Sequence, residues 1–145
     1  MKTVTKTTAY ITRNKKNKFQ LLTMIEEGVE SYGIQVPGGT LEDDETLEQC
    51  LLREIDEESK LKAVEMNEYL GSHKYYLATK QVMITRHYYL LTLTEACPDE
   101  FSVVVESDGI DNGWLYHYRW IDIEENQKIK LGGELGEYLG HLYNK

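Results

Sequence analysis

Three glutamates on one predicted helix are the residues of this chain whose types and spacing could do chemistry. At about 100° per residue, Glu54 and Glu58 lie roughly 40° apart on the helical wheel, and Glu57 lies about 60° from Glu54. Leu47 and Leu51 occupy the same side, so the carboxylates are directed toward the body of the protein. Carboxylates that face inward need a positive partner, and oxygen-only ligands favour a hard divalent cation such as Mg²⁺ or Mn²⁺. The alternative is a solvated acidic face on a surface helix.

A glycine-rich segment, Pro37-Gly38-Gly39, comes shortly before this helix. It is predicted to break regular structure after a short extended segment at residues 34–36. Because glycine permits positive φ and close approach of the backbone, it predicts a tight loop whose backbone contacts a metal or a phosphate. An ordinary turn is the alternative, and the acids downstream favour the first interpretation.

Capping signals predict the boundaries of the acidic helix. Thr46 and Gln49 have capping-box spacing, so we expect the helix to begin at Thr46. We expect it to end near Ser59. Helices often end with a left-handed residue, usually glycine. Lys60 stands at that position here and would adopt the left-handed conformation only at a cost of about 1 kcal/mol.

Residues 39–61 resemble the Nudix box, the signature of a family of hydrolases. The residues that match its fixed positions at the required spacing are Gly39, Glu45, Arg53, Glu54, Ile55, Glu57, Glu58 and Leu61. The preceding residues 36–38 also look like the family's usual lead-in. One fixed position differs, because the family's glycine near the end of the box is Lys60 here. A softer preference, a glycine just before the first glutamate of the box, is Asp44 here.

The resemblance implies an α/β fold, an α/β/α sandwich with a mixed β-sheet. It also implies metal-dependent hydrolysis of a nucleoside diphosphate linked to another group, with Mg²⁺ or Mn²⁺ as cofactor. Glu57 and Glu58 are then the first choices for metal ligands. Glu54 would bind the metal directly or through water, or act as the general base. Gly39 could offer its backbone carbonyl to the metal, and Arg53 could hold Glu57 by an ion pair.

The predicted loop before the last strand is a second source of metal ligands. Members of the family often add an acid from this loop. Asp108 and Asp111 are placed for that role, and Glu106 is a third option. The alternative for each is a simple turn residue, because acids in Asp- and Gly-rich loops are common in turns.

Tyrosines of the predicted strands could form an aromatic surface beside a nucleotide base. Base–aromatic stacking contributes roughly 1–3 kcal/mol. The candidates are Tyr75, Tyr76, Tyr88, Tyr89, Tyr116 and Tyr118. Tyrosine is also a common strand residue, which is the alternative for each. The four histidines have no metal-type spacing, so we assign them no role, and the substrate-binding residues stay open.

Strand patterns predict the elements that position these groups. Residues 3–13 and 18–26 are predicted to form a hairpin, residues 66–78 and 81–96 two further strands, and residues 114–123 a late strand.

The C-terminal region is predicted to form a second helix. Apolar residues recur there at helical spacing from Leu131 to Leu142, which indicates an amphipathic helix. Strands before, between and around two well-separated helices predict a mixed sheet covered by helices.

Length, charge and cysteine content limit the class of protein. At 145 residues the chain is expected to form one domain, residues 1–145. We expect a cytoplasmic location, because no run approaches the roughly 18 apolar residues that cross a bilayer, no apolar signal region is present, and Cys50 and Cys97 are isolated. The net charge of −9 argues against a long nucleic acid as partner. A small nucleotide remains compatible, because a bound metal inverts the local field.

The leading prediction is a cytoplasmic Mg²⁺- or Mn²⁺-dependent pyrophosphohydrolase that acts on a small nucleotide. One alternative is a Nudix-like module that binds a nucleotide without turnover, which Lys60 motivates. Another is removal of pyrophosphate from RNA 5′ ends, which the acidic charge weakens. The particular nucleotide, the bond attacked, the number of metal ions and the general base stay open. So does the oligomeric state, for which a homodimer is one option.

Overall fold

A seven-stranded mixed β-sheet is the framework of the protein in this computed structural model, which describes residues 1–125 and 127–144. The strands are β1 (Thr3–Lys15), β2 (Lys18–Glu26), β3 (Gly38–Thr40), β4 (Val64–Leu77), β5 (Val82–Leu93), β6 (Glu100–Val104) and β7 (Leu115–Asp122). Six of them lie in the order β4-β5-β1-β2-β7-β6, and β3 pairs with β1. Since β1 and β5 are parallel and the other pairs are antiparallel, the predicted mixed sheet is confirmed.

One α-helix, α1 (Leu47–Ser59), carries the acidic residues, and short 3₁₀ helices lie at Glu30–Tyr32 and Leu139–Asn144. Helix α1 begins where its capping signals predict. The side chain of Thr46 accepts a hydrogen bond from the backbone N–H of Gln49 at 3.1 Å, and the side chain of Gln49 accepts one from the N–H of Thr46 at 2.9 Å. None of the described helices is both long and apolar enough to cross a membrane.

The sheet has an apolar core on each face, because successive strand residues point to opposite sides. In β1, Ala9 and Ile11 pack with Leu51 and Ile55 of α1, whereas Tyr10 packs on the other side. The leucines of the C-terminal segment that pack there are Leu131, Leu139 and Leu142. Helix α1 therefore covers one face, and the C-terminal segment covers the other.

The C-terminal segment forms turns and a 3₁₀ helix, so the predicted amphipathic α-helix over residues 131–142 is wrong. Glycines explain the difference, since each costs about 0.5–1 kcal/mol of helix propensity relative to alanine. Gly133 has a φ of +53°, and a Cβ at Gly132 would lie 2.2 Å from the carbonyl oxygen of Tyr32. The leucine pattern thus predicts which residues are buried, but it does not predict their backbone conformation.

Residues 38–40 form strand β3, although the sequence predicts a break in regular structure there. The pairing with β1 explains this, because Gly38 lies opposite Thr8 and Gly39 opposite Thr7. A Cβ at Gly38 would lie 2.2 Å from the carbonyl oxygen of Thr7. The close backbone approach expected of these glycines is therefore present, but between two strands.

Strand β6 is absent from the sequence prediction. It has five residues and pairs antiparallel with β7, so residues 105–114 connect two neighbouring strands. We call these residues the β6–β7 connection. The other predicted strands are confirmed, with shifted ends. Strand β1 ends at Lys15 rather than at residue 13, β4 begins at Val64 rather than at residue 66, and β5 ends at Leu93 rather than at residue 96.

Candidate active site

The glutamates of α1 line a cavity of about 430 Å³, which we call the acidic cavity. Its walls come mainly from the second half of α1, strand β3 and the β6–β7 connection, with further residues from β1, the β4–β5 turn and β7. The acids that line it are Glu42, Glu54, Glu57, Glu58, Asp108 and Asp111. The cavity thus collects both groups of acids that the sequence singles out.

Three of these carboxylates form a compact cluster, which we call the acid trio: Glu54, Glu58 and Asp111. One oxygen from each lies within 4.8 Å of the others. Glu54 is 7% exposed and Glu58 is 4% exposed, and Gly38 donates its N–H to Glu58 Oε1 at 3.0 Å. A buried donor set made of oxygens alone suits Mg²⁺ or Mn²⁺. These residues therefore fit the divalent cation expected from the sequence.

Burial changes the acidity of the trio. It raises the pKa of Glu54 to about 7, although the charge of Arg53 opposes the rise. Burial also raises the pKa of Glu58 well above its usual range; the charge of Glu54 adds to this, and the Gly38 N–H opposes it. Positive charge beyond that of Arg53 would stabilise the ionised forms of these two carboxylates, and a divalent cation would supply it.

Arg53 forms ion pairs with carboxylates on the wall of the acidic cavity. Its Nε and Nη2 donate to the two carboxylate oxygens of Glu45 at 2.6 and 3.0 Å, a bidentate pair that lowers the pKa of Glu45. Its Nη1 donates to Glu54 at 2.7 Å and to Glu57 at 3.3 Å. The ion pair to Glu57 expected from the sequence is present, but the contacts to Glu45 and Glu54 are shorter.

Glu57 and Gly39 line the acidic cavity in different ways. Glu57 is not a member of the trio, and its carboxylate accepts a hydrogen bond from Arg53 Nη1 at 3.3 Å. Gly39 lies directly against Glu54, because a Cβ there would be 2.3 Å from the carboxyl carbon of Glu54. A glycine is required at this position to leave room for the buried carboxylate.

The three loop acids have different surroundings. Asp111 belongs to the trio, and its Oδ1 accepts a hydrogen bond from Ser107 Oγ at 2.5 Å. Asp108 is exposed and lines the cavity outside the trio. Glu106 is also exposed and forms an ion pair with Lys60 at 3.7 Å. Of these acids, Asp111 is the one that the fold brings to the helix glutamates.

A larger cavity of about 640 Å³ adjoins the acidic cavity, with a volume in the range of small-molecule sites. The two cavities share Lys6, Gly38, Gly39, Glu58 and Tyr116. Three of the six candidate tyrosines line the larger cavity: Tyr75, Tyr76 and Tyr116. The others, Tyr88, Tyr89 and Tyr118, are buried in the apolar cores.

Four further residues that line the two cavities are not predicted from the sequence. Tyr32 and Arg86 line the larger cavity, Lys80 lines the acidic cavity, and Lys6 lines both. Lys6 offers a weak signal in the sequence, since it is a lone cation among threonines at the start of a strand. Tyr32 lies shortly before the box, and Lys80 and Arg86 lie far beyond it. No spacing rule connects any of the three to the box.

Both positions at which the chain lacks the family's glycine have a glycine-like backbone. Lys60 has φ 63° and ψ 12°, and its N–H donates to Asp56 O at 3.0 Å, which ends α1 in the left-handed conformation. Asp44 has φ 64°. The local path of the chain is therefore kept without glycine at either position.

The similarity of this chain to known proteins extends beyond the Nudix box. A family model described as NUDIX domain matches residues 3–141. No curated protein sequence matches the chain.

Solved structures share the fold. The NUDIX domain of Shewanella oneidensis NrtR, complexed with ADP ribose, has a TM-score of 0.68 at 16% identity, with 98% of this chain and 85% of that chain covered. A binary complex of C. elegans Ap4A hydrolase has a TM-score of 0.65 at 18% identity, with coverage of 97% and 93%. The MutT protein from Methanosarcina mazei Go1 has a TM-score of 0.58 at 20% identity, with coverage of 99% and 91%. At these identities the similarity shows the α/β/α fold alone.

Proposed function

The chain belongs to the Nudix family of hydrolases, and from that premise we propose that it is a metal-dependent pyrophosphohydrolase of a small nucleotide. Water would attack a phosphorus in a nucleoside diphosphate that is linked to another group. The observation that carries this proposal is the acid trio on the wall of the acidic cavity, where Glu58 also lines the larger cavity. One cavity has room for a nucleoside, and the other has the oxygen ligands that a diphosphate-bound cation needs.

The acid trio would hold Mg²⁺ or Mn²⁺, with the Gly39 carbonyl and Glu57 as further ligands on the same cavity wall. When bound, the cation offsets the charge of the diphosphate and lowers the pKa of a water molecule. Glu54 would serve as a ligand or as the general base, and both roles require its ionised carboxylate.

Arg53 would act as a positioning residue. It contacts Glu54 and Glu57 at 2.7 and 3.3 Å, and Glu45 fixes the guanidinium from the other side. Because one planar group touches these three carboxylates and also lies 3.5 Å from Glu42, their side chains are held in place before a ligand binds. Preorganised charge of this kind avoids reorganisation during the reaction.

The larger cavity would receive the nucleoside. Tyr32 and Tyr76 line it and remain 66% and 50% exposed, so their rings are accessible to a base. The phosphates would then extend past Gly38 and Gly39, which belong to both cavities.

The alternative hypothesis, a non-catalytic nucleotide-binding module, depends on Lys60 standing where the family has a glycine. The backbone of Lys60 is left-handed, as a glycine would be at this helix end. The helix glutamates and Arg53 are all present on the wall of the acidic cavity. These observations support turnover over binding alone.

The test is a panel of nucleotides incubated with Mg²⁺ or Mn²⁺ in ¹⁸O-labelled water, with the products identified by mass. We expect cleavage of an anhydride bond, one labelled oxygen in one of the two products, and loss of activity in EDTA. The label also identifies which phosphorus is attacked. Absence of hydrolysis across the panel, or full activity in EDTA, would contradict the proposal.

A further inference from the structure

Besides Arg53, which is paired with carboxylates, three cations line the two joined cavities, and we propose that they bind a polyphosphate chain longer than a diphosphate. Lys6 of β1 lines both cavities, Arg86 of β5 lines the larger one, and Lys80 of the β4–β5 turn lines the acidic one. We call these three residues the cation track. This inference rests on the proposed function and deepens it: the substrate class is nucleotides with three or more linked phosphates.

The members of the cation track are neighbours in the fold. Lys6 and Arg86 are Cα partners in the parallel pairing of β1 with β5. Burial lowers the pKa of Lys6, and the charges of Arg86 and Lys80 lower it further. The three charges are therefore close enough to repel one another. The charges of Glu54 and Glu58 raise the pKa of Lys6, but it stays below its usual value.

No member of the track forms an ion pair with a carboxylate in the part of the chain that the structure describes. Arg86 is held by neutral groups instead: its Nε donates to Tyr75 OH at 3.1 Å, and its Nη1 donates to Thr8 Oγ1 at 2.8 Å. In a chain of net charge −9, carboxylates outnumber cations. Three cations that have no carboxylate partner in one cleft therefore indicate an anionic ligand.

The arrangement favours a long phosphate chain over a short one. Each phosphate of such a chain carries about one negative charge, so a two-phosphate bridge matches two of the three cations and leaves one unmatched. The charge of the divalent cation does not change this count, because the carboxylates of the acid trio already offset it. Arg86 and Lys80 line different cavities, and Lys6 is common to both. A ligand that contacts all three must therefore extend from one cavity into the other.

The test compares kcat/KM for two substrates that differ in chain length, diadenosine tetraphosphate and ADP-ribose, each with saturating Mg²⁺. The wild-type protein should prefer the tetraphosphate by at least about tenfold. Lys80→Gln should lower kcat/KM for the tetraphosphate roughly 10- to 100-fold, the usual effect of losing a hydrogen bond to a charged group. It should lower the value for ADP-ribose less than about threefold, because Lys6 and Arg86 match the two phosphates of that shorter chain.

The ratio of the two kcat/KM values is the readout, since damage to the fold lowers both values together. Lys80→Arg keeps the charge and should keep the ratio. Lys74→Gln is the matched control, because Lys74 is exposed on β4 and lines neither cavity. It should leave both values unchanged. Equal use of the two substrates by the wild type, or an unchanged ratio in Lys80→Gln, overturns the cation track while the proposed function stands.

A second measurement separates the track from the proposed function. If neither substrate is hydrolysed, the proposed function is wrong, and the track is decided by calorimetric titration of metal-free protein with inorganic tripolyphosphate and pyrophosphate. Tighter binding of tripolyphosphate that is lost in Lys80→Gln supports the track. Equal affinities, or an affinity that Lys80→Gln leaves unchanged, overturn it.

Discussion

The acidic cavity and the larger cavity share a wall but are built from different parts of the chain. Residues 38–58 supply about half of the lining of the acidic cavity, including Glu54 and Glu58, whereas Asp111 of the acid trio comes from the β6–β7 connection. The larger cavity draws on β1, β4, β5 and the C-terminal segment. The comparison separates two tasks: the acidic cavity has the groups for a metal and for hydrolysis, and the larger one has the groups that would select a substrate. Variants of the two cavities should therefore differ in which kinetic constant they change.

The largest expected effect is in the acidic cavity. Glu58→Gln keeps the shape of the side chain but removes a negative ligand, so kcat should fall on the order of 10²–10³-fold. The fold should persist, because a neutral amide replaces a buried carboxylate whose pKa is already raised. Glu48→Gln is the control, since Glu48 is exposed on α1 outside both cavities. Near wild-type turnover of Glu58→Gln at saturating Mg²⁺ would remove Glu58 from the site.

A smaller effect separates the two loop aspartates. Asp111→Asn keeps an oxygen ligand but loses the charge, so half-maximal activity should require roughly tenfold more Mg²⁺. Asp108→Asn should follow the wild-type curve, because Asp108 lies outside the acid trio. Activity is measured across a Mg²⁺ titration for both variants. Two curves that overlay the wild type would mean that the loop supplies no ligand from these positions.

The larger cavity should respond in KM. Tyr76→Ala removes a ring that is 50% exposed on its wall, and KM should rise roughly tenfold, within the usual strength of base–aromatic stacking. The value of kcat should stay close to wild type. Tyr69→Ala is the control, since Tyr69 is 49% exposed but lines neither cavity. A fall in kcat as large as the rise in KM would erase the difference between the two cavities.

The smallest effect is at the end of the helix that supports the acids. Lys60→Gly should raise the free energy of unfolding by up to about 1 kcal/mol, because Lys60 has a positive φ. The greater freedom of glycine in the unfolded chain reduces this gain. Denaturant unfolding measures it. A clear loss of stability would mean that contacts of Lys60, such as the ion pair with Glu106, outweigh the backbone strain.

The contrast between the cavities also explains what could be predicted from the sequence. Helix α1 and its acids follow from local signals, since the capping box at Thr46 and the spacing from Glu54 to Glu58 lie within a few residues of one another. Periodicity also located the long strands. These features depend on neighbours in the sequence, so a pattern can indicate them.

The remaining features depend on partners that are distant in the sequence. Gly38 and Gly39 are in a strand because β1 pairs with them, and Arg86 reaches the site because β5 pairs with β1. The leucines of the C-terminal segment have helical spacing, yet glycines and contacts with the sheet determine its backbone. No local rule describes such pairings, which is why the acidic cavity was largely predicted and most of the larger cavity was not.

Binding of Mn²⁺ to the metal-free protein, measured from the electron paramagnetic resonance signal of the free ion, tests the central claim most directly: Glu54, Glu58 and Asp111 form a cation site. We predict that the wild type binds Mn²⁺ at pH 8. Affinity should fall toward pH 6, because protons compete for Glu54, with a pKa of about 7, and for Glu58. Glu58→Gln should weaken binding at least about tenfold, while Glu48→Gln should not. Absence of binding by the wild type, or equal binding by the two variants, would contradict the account.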